Sequence, residues 1–358
     1  MLNTRYIDNV LLHLSAKCNC NCSHCYIKPF SALPSIENAI PSVIPVLRQI
    51  HKPVHITGGE VMCLHNFEEW VSELLRNEID LTTIYSNGTL IEDHKRFLHE
   101  LHATHPNIRF IISLDGVKDT HCLFRRSDCQ IYDKTLKGAA FLKEIGFKVF
   151  INTMLHSQMT NEVLNKLHAV ILENNFDRWR VDRPFAMGNW IDNQDMHISW
   201  ENSFALFSHI VKLWCDSGFP YDLEINHTFK YLNSKITVFD KYSLSDPICP
   251  CRAFPIWPNG DVTWCQILHD KNVIGNVFST PFDVLVSAYN RYKMKSISDF
   301  VVGKKCEKCE LLPYCGAGCR ANSMMAGGAF EEVDPEFCSI FNKQLQKKVL
   351  QPLMEFVS

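Results

Sequence analysis

Val10-Leu-Leu-His-Leu-Ser-Ala-Lys-Cys18-Asn-Cys-Asn-Cys22-Ser-His-Cys25-Tyr26 runs from a short apolar, strand-like segment, 10–14, into three thiols spaced Cys-x3-Cys-x2-Cys. Soft thiolates at this spacing can wrap a single iron–sulfur cluster. Three ligands leave one iron of a four-iron cubane without a protein ligand, and an open position on a metal is where a cosubstrate binds. A structural zinc ion would want four closed ligands, and Cys20 lies within the run, so spacing alone leaves zinc open. Outward from this stretch, β-rich runs at 10–14, 54–57, 82–86, 109–114, 148–153 and 179–181 alternate with helical periodicity at 40–50, 67–76, 94–102, 134–145 and 162–174. That alternation predicts an α/β fold with a parallel sheet and right-handed crossovers. Six units are fewer than the eight of a closed barrel. The expectation is a partial (β/α)6, TIM-like barrel with its chemistry at the C-terminal strand ends.

Sixteen cysteines in 358 residues is dense for a chain whose residues 1–17 do not read as a signal peptide. In a reducing cytoplasm, the expected location, close cysteine clusters mean metal or redox chemistry more often than disulfides. A formal charge of −3 gives no basic field for nucleic acid, and no apolar run is long enough for a membrane span. After about residue 185 the text changes: 196–231 looks largely helical, and from Cys249 the chain is cysteine-rich, with turn signals at 258–260, 316–318 and 327–328. The segment 340–350 has helical spacing, with Phe341, Leu345 and Val349 on one ridge and Pro352 near its end. The expected organisation is a barrel over 1–190, a bridging helical region over 191–248 and a small cysteine-rich domain over 249–358 ending in a helix.

The thiol stretch resembles the radical S-adenosylmethionine superfamily, whose Cys-x3-Cys-x-aromatic-Cys motif appears as Cys18, Cys22 and Cys25, with His24 at the aromatic position and Tyr26 following. Thr57-Gly58-Gly59-Glu60 looks like the family's GGE segment, which holds the methionine amino group; Val61 replaces the usual Pro. Glycine suits a backbone that must approach a ligand closely. Ser86 and Asn87, after the third strand, and Ser113 and Asp115, after the fourth, match segments lining the ribose and carboxylate side of the cosubstrate. His121-x3-Arg125 resembles a His-Asp-x-x-Arg stretch whose Arg pairs with the methionine carboxylate, with Cys122 in place of Asp. Asn152 ends the fifth strand, and Arg183 follows the sixth, near where the adenine belongs.

The C-terminal cysteines match the SPASM domain that extends many of these enzymes. Gly-x4-Cys is present as 260–265, and Cys306, Cys309, Cys315 and Cys319 complete Cys-x2-Cys-x5-Cys-x3-Cys before Cys338. The family's interleaved pattern implies that Cys249, Cys251, Cys265 and Cys319 hold one auxiliary cluster, and Cys306, Cys309, Cys315 and Cys338 a second. The resemblance therefore implies S-adenosyl-L-methionine and three [4Fe-4S] clusters. By itself the C-terminal region also reads as a pair of zinc sites.

The resemblance implies one-electron cleavage of S-adenosylmethionine to a 5′-deoxyadenosyl radical, fed by a flavodoxin- or ferredoxin-type reductant, followed by hydrogen-atom abstraction from substrate. Oxidative crosslinking of a ribosomally made peptide is the expected outcome. Alternatives are dehydrogenation, epimerisation or rearrangement of a sugar- or amino-acid-like small molecule, or sulfatase-type side-chain oxidation. Epimerisation needs a thiol to return hydrogen, and Cys122 and Cys63 are the candidates. The first strand begins by about residue 8, so a fused leader-binding module is not expected; either a separate leader-binding protein presents the peptide, or recognition is built into residues 185–248, or the substrate is not a peptide. An iron–sulfur electron carrier would explain the thiols but not the series from Gly59 to Arg125.

Overall fold

The computed structural model describes residues 4–27, 36–225, 242–249, 251–269 and 272–357. They fall into two compact units, each assembled from separate stretches: 1–19, 26–86 and 242–335 in the first, and 20–25, 87–241 and 336–358 in the second.

In the first unit, β1 (Asn9–His13), β2 (Val54–Thr57) and β3 (Leu81–Ser86) pair in parallel, and β8 (Ala253–Ile256) pairs parallel to the other side of β1. β9 (Asp261–Thr263) and β10 (Val273–Asn276) continue from β8 as antiparallel strands. Four consecutive β1 residues are buried, as expected of a parallel strand covered on both faces. The crossover helices are α1 (Ile40–Ile50) and α2 (Phe67–Arg76). α1 buries Ile40, Val43, Ile44, Leu47 and Ile50 at helical spacing, and His51 closes it in the left-handed conformation.

In the second unit β4 (Arg109–Ser113), β5 (Lys148–Met154), β6 (Arg178–Asp182) and β7 (Asp222–Ile225) are all parallel. They alternate with α3 (Lys95–Thr104), α4 (Lys118–Arg125), α5 (Gln130–Glu144), α6 (Asn161–Glu173) and the helix Trp200–Asp216. Thr160 and Ser199 cap the last two, each hydroxyl accepting a backbone N–H from the first turn.

The six expected strands and five helices are present. Two expectations change. The region 196–231 is not simply helical, because Asp222–Ile225 adds a strand beside β6; Arg178 on β6 pairs with both Asp222 and Glu224. Residues 226–231 lie outside the described residues. The C-terminal helix is broken: Pro335–Asn342 ends before Gln344, which is left-handed at φ 53°, and Leu345–Val357 follows with Pro352 inside it. The ridge of Phe341, Leu345 and Val349 is nonetheless buried, and Ser208 Oγ donates to Lys348 O at 2.9 Å to tie the last helix to Trp200–Asp216. No helix among the described residues is long and apolar enough to cross a membrane.

Candidate cofactor and cluster sites

In the first unit, β1 runs into the loop 14–18 and β2 into Gly58-Gly59-Glu60. Gly59 N–H donates to Ser15 O and Glu60 N–H to Lys17 O, both at 2.8 Å. A Cβ on Gly59 would stand 2.2 Å from Lys17 O, and one on Gly58 2.3 Å from Ser15 O. Close approach was expected toward a ligand; the contacts seen are with the backbone that delivers Cys18, which is exposed. Glu60 is buried, and its Oε1 accepts from Met62 N–H at 3.2 Å and Ser86 Oγ–H at 2.9 Å. That fixes an anionic acceptor suited to an ammonium group between two strand ends. Cys63 lies one turn on, its thiol pushed up to about 11 by burial and then by the charges of Glu60 and Cys18. It stays protonated, as a hydrogen donor must.

Tyr26 meets a partner that sequence reading missed. Its hydroxyl lies 3.2 Å from His13 Nε2, and His13 stacks flat on Trp257 at 4.7 Å while its Nδ1 faces Ile256 O. Burial first, then the charge of His269, lowers His13 to about 4, so the ring is neutral.

In the second unit Cys22 is buried beside Cys20, and Arg125 Nη1 lies 3.5 Å from Cys22 Sγ. The hydrogen bond from Cys20, then the Arg125 charge, pull the Cys22 thiol down against burial, favouring the thiolate that binds metal. Asn87 Nδ2 donates to Cys20 Sγ at 3.4 Å, placing an expected cosubstrate residue on a thiol outside the motif. Arg125 ends α4, and its Nε and Nη2 both reach Asp115 Oδ2 at 2.6 Å; Met154 N–H donates to Asp115 Oδ1 at 2.7 Å. Burial would raise the Asp115 carboxyl, but Arg125, His24 and His121 hold it below its ordinary value. Both Asp115 oxygens are engaged, and Arg125 spends two of its nitrogens on Asp115 and a third on Cys22.

His24, at the motif's aromatic position, stacks on Phe124 at 4.6 Å, and His156 stacks on the opposite face at 4.1 Å. His24 and His121 are held neutral, at about 3 and 4, by burial above all. Ser113 and Asn152 are paired across the C-terminal ends of β4 and β5. Arg183 lies over the Trp200 ring at 3.6 Å and donates through Nη2 to Ile198 O at 2.7 Å. His24 Nδ1, Asn152 Oδ1 and Arg183 Nε are buried with no hydrogen-bond partner among the described residues. Buried polar atoms are normally satisfied, so three cosubstrate candidates carrying such atoms fit a polar ligand. Cys122 packs against Cys20, Cys22 and Ile131, and burial pushes its thiol up to about 11. Its surroundings are the thiol loop itself.

The C-terminal thiols repeat the theme in the first unit. Burial, then the charges of Cys265, Cys251 and Cys249, push the Cys319 thiol well up, so these four stand within electrostatic reach of one another. Lys293, the last residue of the helix Phe282–Lys293, is 1% exposed, and its Nζ donates to Cys249 Sγ at 3.1 Å and to Cys251 O. Burial alone would lower this ammonium, yet the charges of Cys249, Tyr289, Cys265 and Cys251 hold it above its usual value. Cys306 and Cys315 lie on the short turns Lys305–Lys308 and Leu312–Cys315, Cys309 directly follows the first of them, and Cys338 belongs to the second unit. Gly316 and Gly318, both at positive φ, let the chain turn where a Cβ would strike Tyr242 or Asp334 at 2.9 and 2.5 Å. Among the described residues no three His, Cys, Asp or Glu side chains close on one point as ligands of a single ion do.

Residues 12–169 match the Radical SAM superfamily. An AdoMet-dependent heme synthase of Methanosarcina barkeri is 24% identical over 90% of this chain and 93% of its own length. GTP 3′,8-cyclase of Helicobacter pylori is 23% identical over 46% of this chain and 51% of its own. Among solved structures, anSMEcpe with bound AdoMet and a peptide superposes with a TM-score of 0.72 at 20% identity, covering 98% of this chain and 97% of that one. Streptococcus suis SuiB bound to precursor peptide SuiA does so at 0.67 and 18%, covering 93% and 76%. With the βα succession and the two thiol regions, these findings show a radical SAM superfamily domain over residues 12–169 and, along nearly the whole chain, the fold of anSMEcpe and SuiB.

Proposed function

We propose that this enzyme uses S-adenosylmethionine to abstract hydrogen from a peptide, for oxidative crosslinking during maturation of a ribosomal peptide. The carrying observation is the trio of partnerless buried atoms on His24, Asn152 and Arg183, in the same unit as the thiolate-favouring site at Cys22. Cys18, Cys22 and Cys25 would hold the catalytic cluster; Cys249, Cys251, Cys265 and Cys319 one auxiliary cluster; Cys306, Cys309, Cys315 and Cys338 another. When bound, the catalytic cluster and S-adenosylmethionine supply one-electron reductive cleavage and a carbon radical able to take hydrogen from an unactivated carbon. This chain's residues do the rest. Glu60, fixed by Ser86, accepts an ammonium group. Asn152 and Arg183 offer polar atoms to the nucleoside, and Arg125 holds the Cys22 thiolate. Neutral His24 and His121 add no competing charge.

A peptide substrate is supported by the likeness to anSMEcpe and SuiB, both solved with peptides. The proposal includes a flavodoxin- or ferredoxin-type reductant, a cytoplasmic setting and a separate leader-binding protein. A second reading, oxidation of a small molecule, is favoured by the heme synthase, which matches along most of both chains. Deoxyadenosine release under dithionite, with short peptides encoded beside the gene or with a tetrapyrrole, separates the two. Stimulation by a peptide, with loss of two mass units per crosslink, is expected. Full stimulation by the tetrapyrrole with every peptide inert would overturn the peptide reading.

A further inference from the structure

Lys293 is a buried cation that meets no carboxylate among the described residues. Its nitrogen meets Cys249 Sγ and Cys251 O, the rings of Tyr289 and Trp264 lie 5.3 and 5.7 Å away, and no Asp or Glu is among its partners in the described residues. An ammonium withdrawn from water costs several kcal/mol unless an opposite charge meets it. Cys249, Cys265, Cys251 and Tyr289 are the acidic groups acting on Lys293. Neutral thiols do not compensate a buried cation; thiolates bound to an electron-accepting metal group do. The placement is built by the fold, since Phe282, Leu285, Val286 and Tyr289 bury the same helix face and Lys293 continues that stripe into the core.

We propose that Lys293 is the positioning residue for the group held by Cys249, Cys251, Cys265 and Cys319, a fixed counter-cation that donates to the Cys249 sulfur and makes that group easier to reduce. This rests on the auxiliary-cluster reading above. A donor on a ligand sulfur and a nearby positive charge both stabilise the reduced, more negative state, and a dry setting magnifies the effect.

The test compares the full-length reconstituted protein with Lys293→Met, Lys293→Arg and Cys265→Ala variants, by iron content and by an EPR-monitored titration in which dithionite supplies the single electron. Cys265→Ala identifies the signal from this site. If that variant keeps every iron and every signal of the parent, the auxiliary reading itself fails, whatever Lys293 does. If the signal is identified, Lys293→Met is expected to lower its reduction constant about tenfold, equivalent to ~59 mV for one electron. Lys293→Arg, which keeps charge and donor, should stay near the parent. Loss of the cluster from the Met variant alone also supports the proposal, since that variant lacks the charge and the donor that Lys293→Arg keeps. An unchanged potential in Lys293→Met, or equal loss of iron from Met and Arg variants, overturns it.

Discussion

Two thiols in this protein receive a cation, and the cations are balanced differently. Arg125 in the second unit reaches Cys22 while Asp115, fully buried, neutralises it. Lys293 in the first unit reaches Cys249 with no carboxylate partner among the described residues. Around Cys22 the charges of Arg125 and Asp115 oppose each other, so the thiolate there owes more to the hydrogen bond from Cys20 than to net charge. Around Cys249 one positive charge meets no carboxylate among the described residues, and on the proposed assignment the cluster held there would neutralise it. Low-dielectric surroundings make that single charge count heavily. A site that must give an electron away is better served by the first arrangement, and one that must take an electron by the second.

The largest expected effect separates the regions outright. Replacing Cys18, Cys22 and Cys25 together with Ala should abolish deoxyadenosine formation and remove about four of roughly twelve irons, because on the proposed assignment the other thiols form separate ligand sets. Iron assay and product chromatography check this; loss of all the iron would show that the regions are not independent.

Asp115→Ala makes the Arg125 region resemble the Lys293 region by leaving a buried cation uncompensated. Breaking such a pair from one side costs about 3–5 kcal/mol, to be read from urea unfolding at pH 7. The Asp115 carboxyl is held below its ordinary 3.8 in the fold, so its contribution is fully present above that value and is lost as pH falls through the lower folded value. The gap between variant and parent should therefore close only below about pH 4. A gap that stays constant into acid would mean that shape, not charge, sets the cost.

The smallest effect lies at Glu60. Ser86→Ala removes one neutral donor from its carboxylate, at about 1 kcal/mol. The KM for S-adenosylmethionine should rise roughly fivefold with kcat little changed, since the lost bond is equal in ground and transition states. A fall in kcat at constant KM would give Glu60 a different role.

Much of the fold was legible along the chain because it rests on local periodicity. The strand runs matched within a residue or two, and α1 and α2 at both ends, since buried parallel strands and amphipathic helices write their burial into residue order. Asp222–Ile225 was missed because four residues beside a long helix carry too little period. The break at Gln344 was missed because Phe341, Leu345 and Val349 keep their helical spacing across it.

The site divides in the same way. Thiol spacing, the strand-end segments and the SPASM pattern are one-dimensional, and they named the thiols now brought within reach of one another around Cys319. Lys293 left a readable trace as a cation on an apolar stripe. Nothing in residue order says that Gly59 packs on Lys17, that Asp115 takes Arg125, or that His13 lies on Trp257. These pairings join residues from ten to more than two hundred positions apart. Burial, charge balance and close backbone approach are properties of what the folded chain places side by side, so the sequence alone determined which chemistry is available, and only the tertiary structure decided which charge stands beside which sulfur.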